Sequence, residues 1–359
     1  MKIVVFGLSI TSSWGNGHAT TYRGLLRAMR RRGHDITFFE RDVFWYANNR
    51  DLPRPSFCTL RLYENFDEVQ IRWLEEVRNA DMVIVGSYVP DGAEIGAWVI
   101  SEANGIKAFY DIDTPVTVSN LGADGVEYLT TALIPKYDLY LSFTGGPLLS
   151  RVENEFGSPA ARALYCSVDT AMYFPVKERL RWHLGYMGTY SQDRQPMVDR
   201  LLCSPARRWK EGRFAVIGPQ YPPTIRWPAN VRRIQHLPPQ KHRRFYNQQA
   251  FTLNVTRADM IAAGWSPSVR LFEAGACATP IISDWWEGLD AFFEPDTEIL
   301  IARSAEESLD YLRNTRASAR TAIGNSARAR VLAEHTADRR AEQLERYATE
   351  LAGRSLIAF

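Results

Sequence analysis

The chain has 359 residues, 45% of them hydrophobic, which is ample for cores and about twice what one compact domain of ordinary size uses. Its 43 Lys and Arg face 41 Asp and Glu, so the formal charge of +2 gives no global field for a polyanion, and nucleic-acid binding by bulk charge is disfavoured. Only 6 of those cations are Lys, an arginine excess best read as compositional. Cys58, Cys166, Cys203 and Cys277 are scattered without a C-x-x-C pair, which points to reduced core residues rather than a zinc ribbon or a disulfide framework. The opening apolar run is too short for a signal peptide and no stretch reaches a membrane span, so a soluble, cytoplasmic protein is expected.

Lys2 to Gly7 is a β-branched run without polar alternation, the pattern of a strand buried on both faces of a parallel sheet. After a polar loop, Ala19 to Arg32 sets Tyr22, Leu25, Leu26 and Met29 at helical spacing, and Gly33 ends it. Asp35 to Glu40 is a second strand. The same beat continues with a helix over Asp67 to Asn79, a strand at Met82 to Gly86, a helix over Ala93 to Asn104, and strands at Ile106 to Tyr110 and Leu139 to Phe143. Gly145 and Gly146 precede a further helix to about Phe156. Such alternation implies a doubly wound α/β domain, whose ligands lie beyond the carboxyl ends of the strands.

The chain turns irregular around Val168 to Arg181, a crossover between domains, and the pattern restarts. Strands are expected at Leu184 to Gly188, Arg213 to Gly218, Val231 to His236, Ala250 to Val255, Pro280 to Ser283 and Ile299 to Ala302. Helices are expected at Pro196 to Leu202, Gln240 to Gln248, Val269 to Cys277 and Glu306 to Arg313. Ala317 to Ala352 reads as helix broken near Glu334, with Thr336 as N-cap of a last segment. The expected division is 1–172, 173–335, and a terminal helix over 336–359 that packs back on the first domain. Two Rossmann-like α/β domains facing a central cleft is the architecture this implies.

Gly264 to Pro280 is the most informative segment, because small polar residues open a helix and an acid follows one turn inside. Free backbone N–H groups at such a helix start attract a diphosphate, and a carboxylate such as Glu273 suits ribose hydroxyls. Arg270-Leu-Phe-Glu-Ala-Gly-Ala-Cys277 with Ile281-Ile-Ser-Asp-Trp-Trp-Glu-Gly-Leu289 resembles the donor-binding region of GT-B glycosyltransferases, closest to the CgeB-like, spore-maturation group. Trp14 to His18, Tyr110 to Pro115, Val168-Asp169 with Phe174-Pro175, Gly188 to Tyr190 and Asp193-Arg194 extend the resemblance over both halves. Retaining relatives carry two glutamates eight positions apart; here the second is Glu273 and the first position holds Trp265.

The resemblance implies a metal-independent hexosyltransferase-type enzyme with no cofactor, using a UDP- or dTDP-type sugar and a hydroxyl acceptor. A homodimer is compatible with it. The nucleotide-sugar residues are then Gly188, Thr189, Tyr190, Arg194, Arg257, Ser266, Ser268, Val269, Arg270 and Glu273, with the base near His236 and Leu237. Arg194 and Arg257 suit the charge that builds on a departing diphosphate. On the acceptor side Gly15, Asn16 and Gly17 form an open glycine loop, and Trp285, Trp286 and Glu287 offer faces and a carboxylate to a sugar ring. His18 is either a helix-start histidine or a general base; Asp111 and Asp113 are expected to face the ligand as base or sugar-orienting carboxylates, their D-x-D spacing being a weak metal signal. Glu40 or Asp42 keeps a dinucleotide-binding reading open. An epimerase on the same fold, or a silent nucleotide- or sugar-binding module, are the rival functions.

Overall fold

The computed structural model describes residues 1–15, 17–122 and 125–357, with side chains to residue 353. The chain forms two compact units, Met1–Cys166 with the terminal helix, and Ser167–Thr336. In the first, strands β1 (Lys2–Phe6), β2 (Asp35–Arg41), β3 (Thr59–Tyr63), β4 (Met82–Gly86), β5 (Ile106–Asp111), β6 (Leu139–Ser142) and β7 (Ala161–Ala163) make one parallel sheet in the order β3-β2-β1-β4-β5-β6-β7. The unalternated apolar runs of β1 and β4 are buried residue for residue, as a sheet covered on both faces demands.

The helices of this unit are α1 (Gly17–Arg31), α2 (Phe44–Ala47), α3 (Phe66–Arg72), α4 (Leu74–Arg78), α5 (Gly92–Glu102), α6 (Thr114–Leu121) and α7 (Pro147–Asn154). Tyr22, Leu25, Leu26 and Met29 of α1 are all buried, so the helical spacing read from the sequence is the core-facing stripe. The single helix expected over Asp67 to Asn79 is two, α3 and α4, parted at Trp73, whose φ of −128° leaves the helical region. Strands β3 and β7, absent from the sequence expectation, are the two sheet edges; β7 is three residues long, and β3 buries only Tyr63.

The second unit repeats the plan. Strands β8 (Trp182–Met187), β9 (Phe214–Ile217), β10 (Val231–Ile234), β11 (Gln249–Asn254), β12 (Ile281–Ser283) and β13 (Leu300–Ile301) form a parallel sheet ordered β10-β9-β8-β11-β12-β13. Its helices are α8 (Gln195–Val198) and α9 (Ser204–Arg208), joined by a π-helical turn over Asp199–Cys203, then α10 (Pro239–Asn247), α11 (Ala258–Ala263), α12 (Val269–Ala276), α13 (Ala305–Asn314) and α14 (Ala317–Glu334). The boundary falls at 166/167 rather than 172/173, because Val168 pairs with Thr336 and its N–H donates to His335 O, tying that strip to the second unit.

The final helix α15 (Ala337–Ile357) belongs to the first unit. Ala337, Ala341, Leu344 and Ala348 join the first core, and the Tyr347 hydroxyl donates to Ala163 O at 2.9 Å. Burying one leucine such as Leu344 contributes roughly 2 kcal/mol. At its rim Glu345 accepts from Arg32 at 2.6 Å, and the Arg32 guanidinium holds this carboxyl down at about 2.

Candidate functional site

The carboxyl edge of the second sheet is laced by side chains from three strands and one helix. Asn254, at the end of β11, accepts at Oδ1 from Ser268 Oγ (2.8 Å) and from Arg270 Nη1 (2.7 Å), while its Nδ2 donates to Ser283 Oγ at the end of β12. Arg270 Nε donates to Met187 O at the end of β8, and the guanidinium lies 5.0 Å from the Tyr186 ring centroid. Thr256 donates through N–H (2.8 Å) and Oγ1 (2.9 Å) to Asp284, a carboxyl whose burial raises its pKa. A buried guanidinium carries this charge only because its donors are spent on fixed acceptors.

Ser268 holds the N-cap position of α12, yet its hydroxyl turns to Asn254 and no side chain caps the first turn. The helix start, beginning with Val269, thus keeps its partial positive charge for an incoming anion. Beside it runs the loop after β8. Gly188 N–H donates to Ile217 O, Tyr190 N–H to Pro219 O, and Arg194 Nη2 to Thr189 O at 2.7 Å. Tyr221 seals the loop by donating to Gly188 O at 3.1 Å. A Cβ at Gly218, where φ is +150°, would lie 1.9 Å from Gly188 O, so only glycine permits this approach.

Arg194 and Arg257 come from neighbouring loops, because Asp193 accepts from Ala258 N–H at 2.8 Å. Arg194 Nε is buried without a partner, and Arg257 precedes α11 within 3.9 Å of Asp259. Ser266 is buried, its hydroxyl against Met260 Sδ, where it packs the loop. Trp265 N–H donates to Glu287 O at 2.7 Å, and a Cβ on Gly288 (φ +85°) would meet the Trp265 ring, which makes the 264–268 and 285–288 loops one block. Trp285 is 40% exposed and Glu287 is exposed, but Trp286 is 1% exposed beside Phe292. Trp286 therefore packs the core and offers no face to a sugar.

Glu273 departs most from expectation. It is 4% exposed and accepts the Tyr246 hydroxyl at 2.8 Å; burial, and then its charge, push the Tyr246 and Tyr173 phenols far up in pKa. Tyr173 reaches His242, which in turn meets Leu237 O at 2.9 Å. The carboxylate expected at a ribose is here an internal tie from α12 to α10 and the Leu237 loop, beside which His236 is exposed.

On the first sheet's carboxyl edge, Glu40 is saturated. Its oxygens accept from Ser9 Oγ, Ile10 N–H, Thr11 N–H and Thr11 Oγ1, which pins the loop after β1 and leaves nothing for a dinucleotide ribose. Asp42 is paired with Arg50. Asp51, bidentate to Arg23 at 2.8 Å, holds Ser13 of the same loop. Gly15 (φ +61°) and Gly17 have open space where a Cβ would be; Asn16 lies outside the described residues.

Asp111 is fully buried, accepting from Tyr140 at 2.5 Å, Thr117 at 2.9 Å and Asp113 N–H. Burial lifts its pKa to about 6. At 0% exposure it ties β5 to β6 and α6 and presents no surface to a ligand, contrary to the sequence expectation. Asp113 is partly exposed and accepts the Tyr88 hydroxyl at 2.9 Å; the Tyr88 ring stands edge-on to His18, centroids 5.3 Å apart. Desolvation lowers His18 to about 4, so its ring is neutral at pH 7. Tyr88 sits at φ +63°, a costly conformation for an aromatic residue that marks a constrained position. Sequence reasoning missed Tyr88 and Asn254; an amide at the carboxyl end of the strand, just before the Thr256–Arg257 loop, was the available signal for the latter. Among the described residues no three His, Cys, Asp or Glu gather as a metal site, and no helix is long and apolar enough to cross a membrane.

Residues 194–346 match the family model described as glycosyl transferase-like. No curated protein matches the chain in sequence. Among solved structures it is similar to sucrose-phosphate synthase from Thermosynechococcus elongatus (13% identity, 98% of this chain and 99% of that one, TM-score 0.70). It is also similar to Anabaena HepE in complex with UDP-glucose (11%, 98% and 100%, 0.71) and to an alpha-glucosyltransferase in complex with UDP-glucose and DNA (12%, 97% and 99%, 0.71). At these identities the likeness establishes architecture: the chain has the two-sheet GT-B fold, and most of its second unit matches the glycosyl transferase-like model.

Proposed function

We propose that this protein moves a sugar from a nucleoside diphosphate sugar, of UDP type, to a hydroxyl acceptor without a metal ion, as a CgeB-like hexosyltransferase. The observation that carries this reading is the uncapped start of α12 beside the Asn254–Ser268–Arg270 lacing, inside the segment that matches the glycosyl transferase-like model. That start, with Arg270, Arg194 and Arg257, offers fixed positive charge where a leaving diphosphate gains negative charge. Gly188 to Tyr190 bring backbone close to the phosphates, the Leu237 loop takes the base, and Trp285 with Glu287 takes the sugar. The UDP-glucose complexes of HepE and the alpha-glucosyltransferase support a uridine nucleotide.

The first unit supplies the acceptor side. As the acceptor oxygen bonds to the anomeric carbon, the bond to the diphosphate oxygen breaks with its electrons, and the hydroxyl proton passes to neutral His18 or to Asp113. Glu273 acts from within by fixing α12. Calorimetry and thermal shift with UDP and UDP-glucose test the donor half: at a hundred times its dissociation constant a ligand adds about 2.7 kcal/mol. No stabilisation by any diphosphate nucleotide would overturn the proposal.

A further inference from the structure

The near-neutral total conceals a strongly cationic stretch. Residues 177–244 hold fifteen Lys and Arg against four Asp and Glu, so the remainder of the chain is net negative. Some of these cations already have partners: on the surface Arg207 pairs with Asp199, Arg208 with Glu306 and Arg244 with Glu178, and Arg233 lies over Tyr221. Others gather at the amino edge of the second sheet, the end opposite the α12 start, joined there by cations of α13 and α14.

Two grooves of about 380 and 620 Å³ adjoin at that edge. His183, Trp209, Arg313 and Arg320 line the smaller; Trp182, Lys210, Arg213, Arg232 and Arg233 line the larger, with one acid, Glu211, among them. Arg213 connects them, its N–H donating to His183 Nδ1 at 2.9 Å and its Nε to Arg181 O at 2.7 Å. Lys210, Arg213, Arg232, Arg313 and Arg320 form no ion pair among the described residues. Between them His183 and Trp209 stack with centroids 4.4 Å apart. Burial and the charges of Arg213 and Arg320 hold the His183 ring below its ordinary pKa, so a neutral aromatic pair sits in a positive field.

Concave shape, five unpaired cations and stacked rings together fit a flexible polyanion carrying planar groups. A bilayer fits poorly, because the one large apolar side chain exposed on this rim is Leu180, at 39%. We propose that this edge binds single-stranded nucleic acid, its phosphodiesters along Lys210, Arg213, Arg232, Arg313 and Arg320 and a base against the His183–Trp209 pair. The site lies at the other end of the sheet from the proposed donor site and does not depend on sugar transfer.

Fluorescence anisotropy of a labelled oligothymidylate of about 12 nucleotides, with the full chain and saturating UDP, tests it. Five neutralised phosphates give a log–log salt slope near −3.5, so affinity should fall about 100-fold between about 50 and 200 mM salt. Lys210→Glu with Arg232→Glu, both exposed positions, should weaken binding at least ~10-fold and flatten that slope, with UDP binding unchanged; Arg313→Glu should do likewise to a smaller degree. Four results would each overturn the proposal: no binding at low salt, binding indifferent to these variants, displacement of the oligonucleotide by UDP, or preference for phosphatidylglycerol-containing vesicles. Equal affinity for inorganic polyphosphate of matched charge would refute the base-stacking component.

Discussion

The two carboxyl edges solve the same problem with opposite chemistry. Both are loop sets above a parallel sheet, and both need buried polar groups to keep loops in place. In the first unit the anchors are carboxylates, Glu40, Asp51 and Asp111, and what they leave toward solvent is a neutral imidazole, a phenol and Asp113. In the second the anchors are Asn254, which holds the Arg270 guanidinium beside an uncapped helix start, and Asp284, which holds Thr256 of the adjoining loop. One edge suits a hydroxyl that must lose a proton, the other an anion that must gain charge. The difference shows that one fold sets position, while the anchor residues set the sign of the site.

Removing Arg270 should break that contrast most. Arg270→Ala strips Met187 O of that donor and leaves Asn254 Oδ1 with Ser268 Oγ alone, so we expect a loss of about 1–3 kcal/mol in urea unfolding and the disappearance of UDP binding in calorimetry. Arg270→Lys should restore folding better than binding, because an ammonium cannot span both acceptors. UDP binding unaltered in either variant would show that the second edge is not an anion site.

Asp111 gives the counterpart. Its folded pKa of about 6 lies above the ordinary value of 3.8, so folding favours its protonated form. The stability this supplies is present below about pH 4 and is lost as pH rises through 6, by about 3 kcal/mol for a two-unit difference. Urea unfolding at several pH values should show this fall in the parent and a flattened profile in Asp111→Asn. An unchanged profile would mean that another group carries the titration.

His18→Ala sharpens the division of labour. Turnover of UDP-glucose should fall about 100-fold with the dissociation constant for UDP unchanged, and Tyr88→Phe should lower turnover less. Weakened UDP binding in His18→Ala would mean that the first edge helps hold the donor. The smallest effect is expected at exposed Trp285, where Trp285→Ala should raise the KM for UDP-glucose about threefold and leave UDP affinity alone.

Much of this was legible because it rests on local periodicity. The unbroken apolar runs of β1 and β4 could only be doubly covered strands, and the stripe of α1 had one face to bury. The edge strands β3 and β7 were not legible, since a short, half-covered strand carries little pattern. Gly188, Arg194 and Arg270 could be placed beyond a strand or at a helix start from the sequence, and the structure has them there. The roles of Glu273 and Asp111 as internal ties could not be read this way, because each is decided by a partner distant in sequence: Tyr246 is contributed by another helix, and Tyr140 comes from the neighbouring strand.

Charge shows the same limit from the other side. Counting residues gave a near-neutral chain, and the sequence does contain the cationic stretch at 177–244, but which of its members are neutralised depends on acids such as Glu306 that reach it only in the folded chain. The alternation of strands and helices, the two sheets and the existence of α12 follow from side-chain period and backbone hydrogen bonding, and so can be read along the chain. Tertiary structure alone decided which carboxylates are struts and which reach solvent, because burial and the partners that make it tolerable are properties of packed neighbours and not of any one segment.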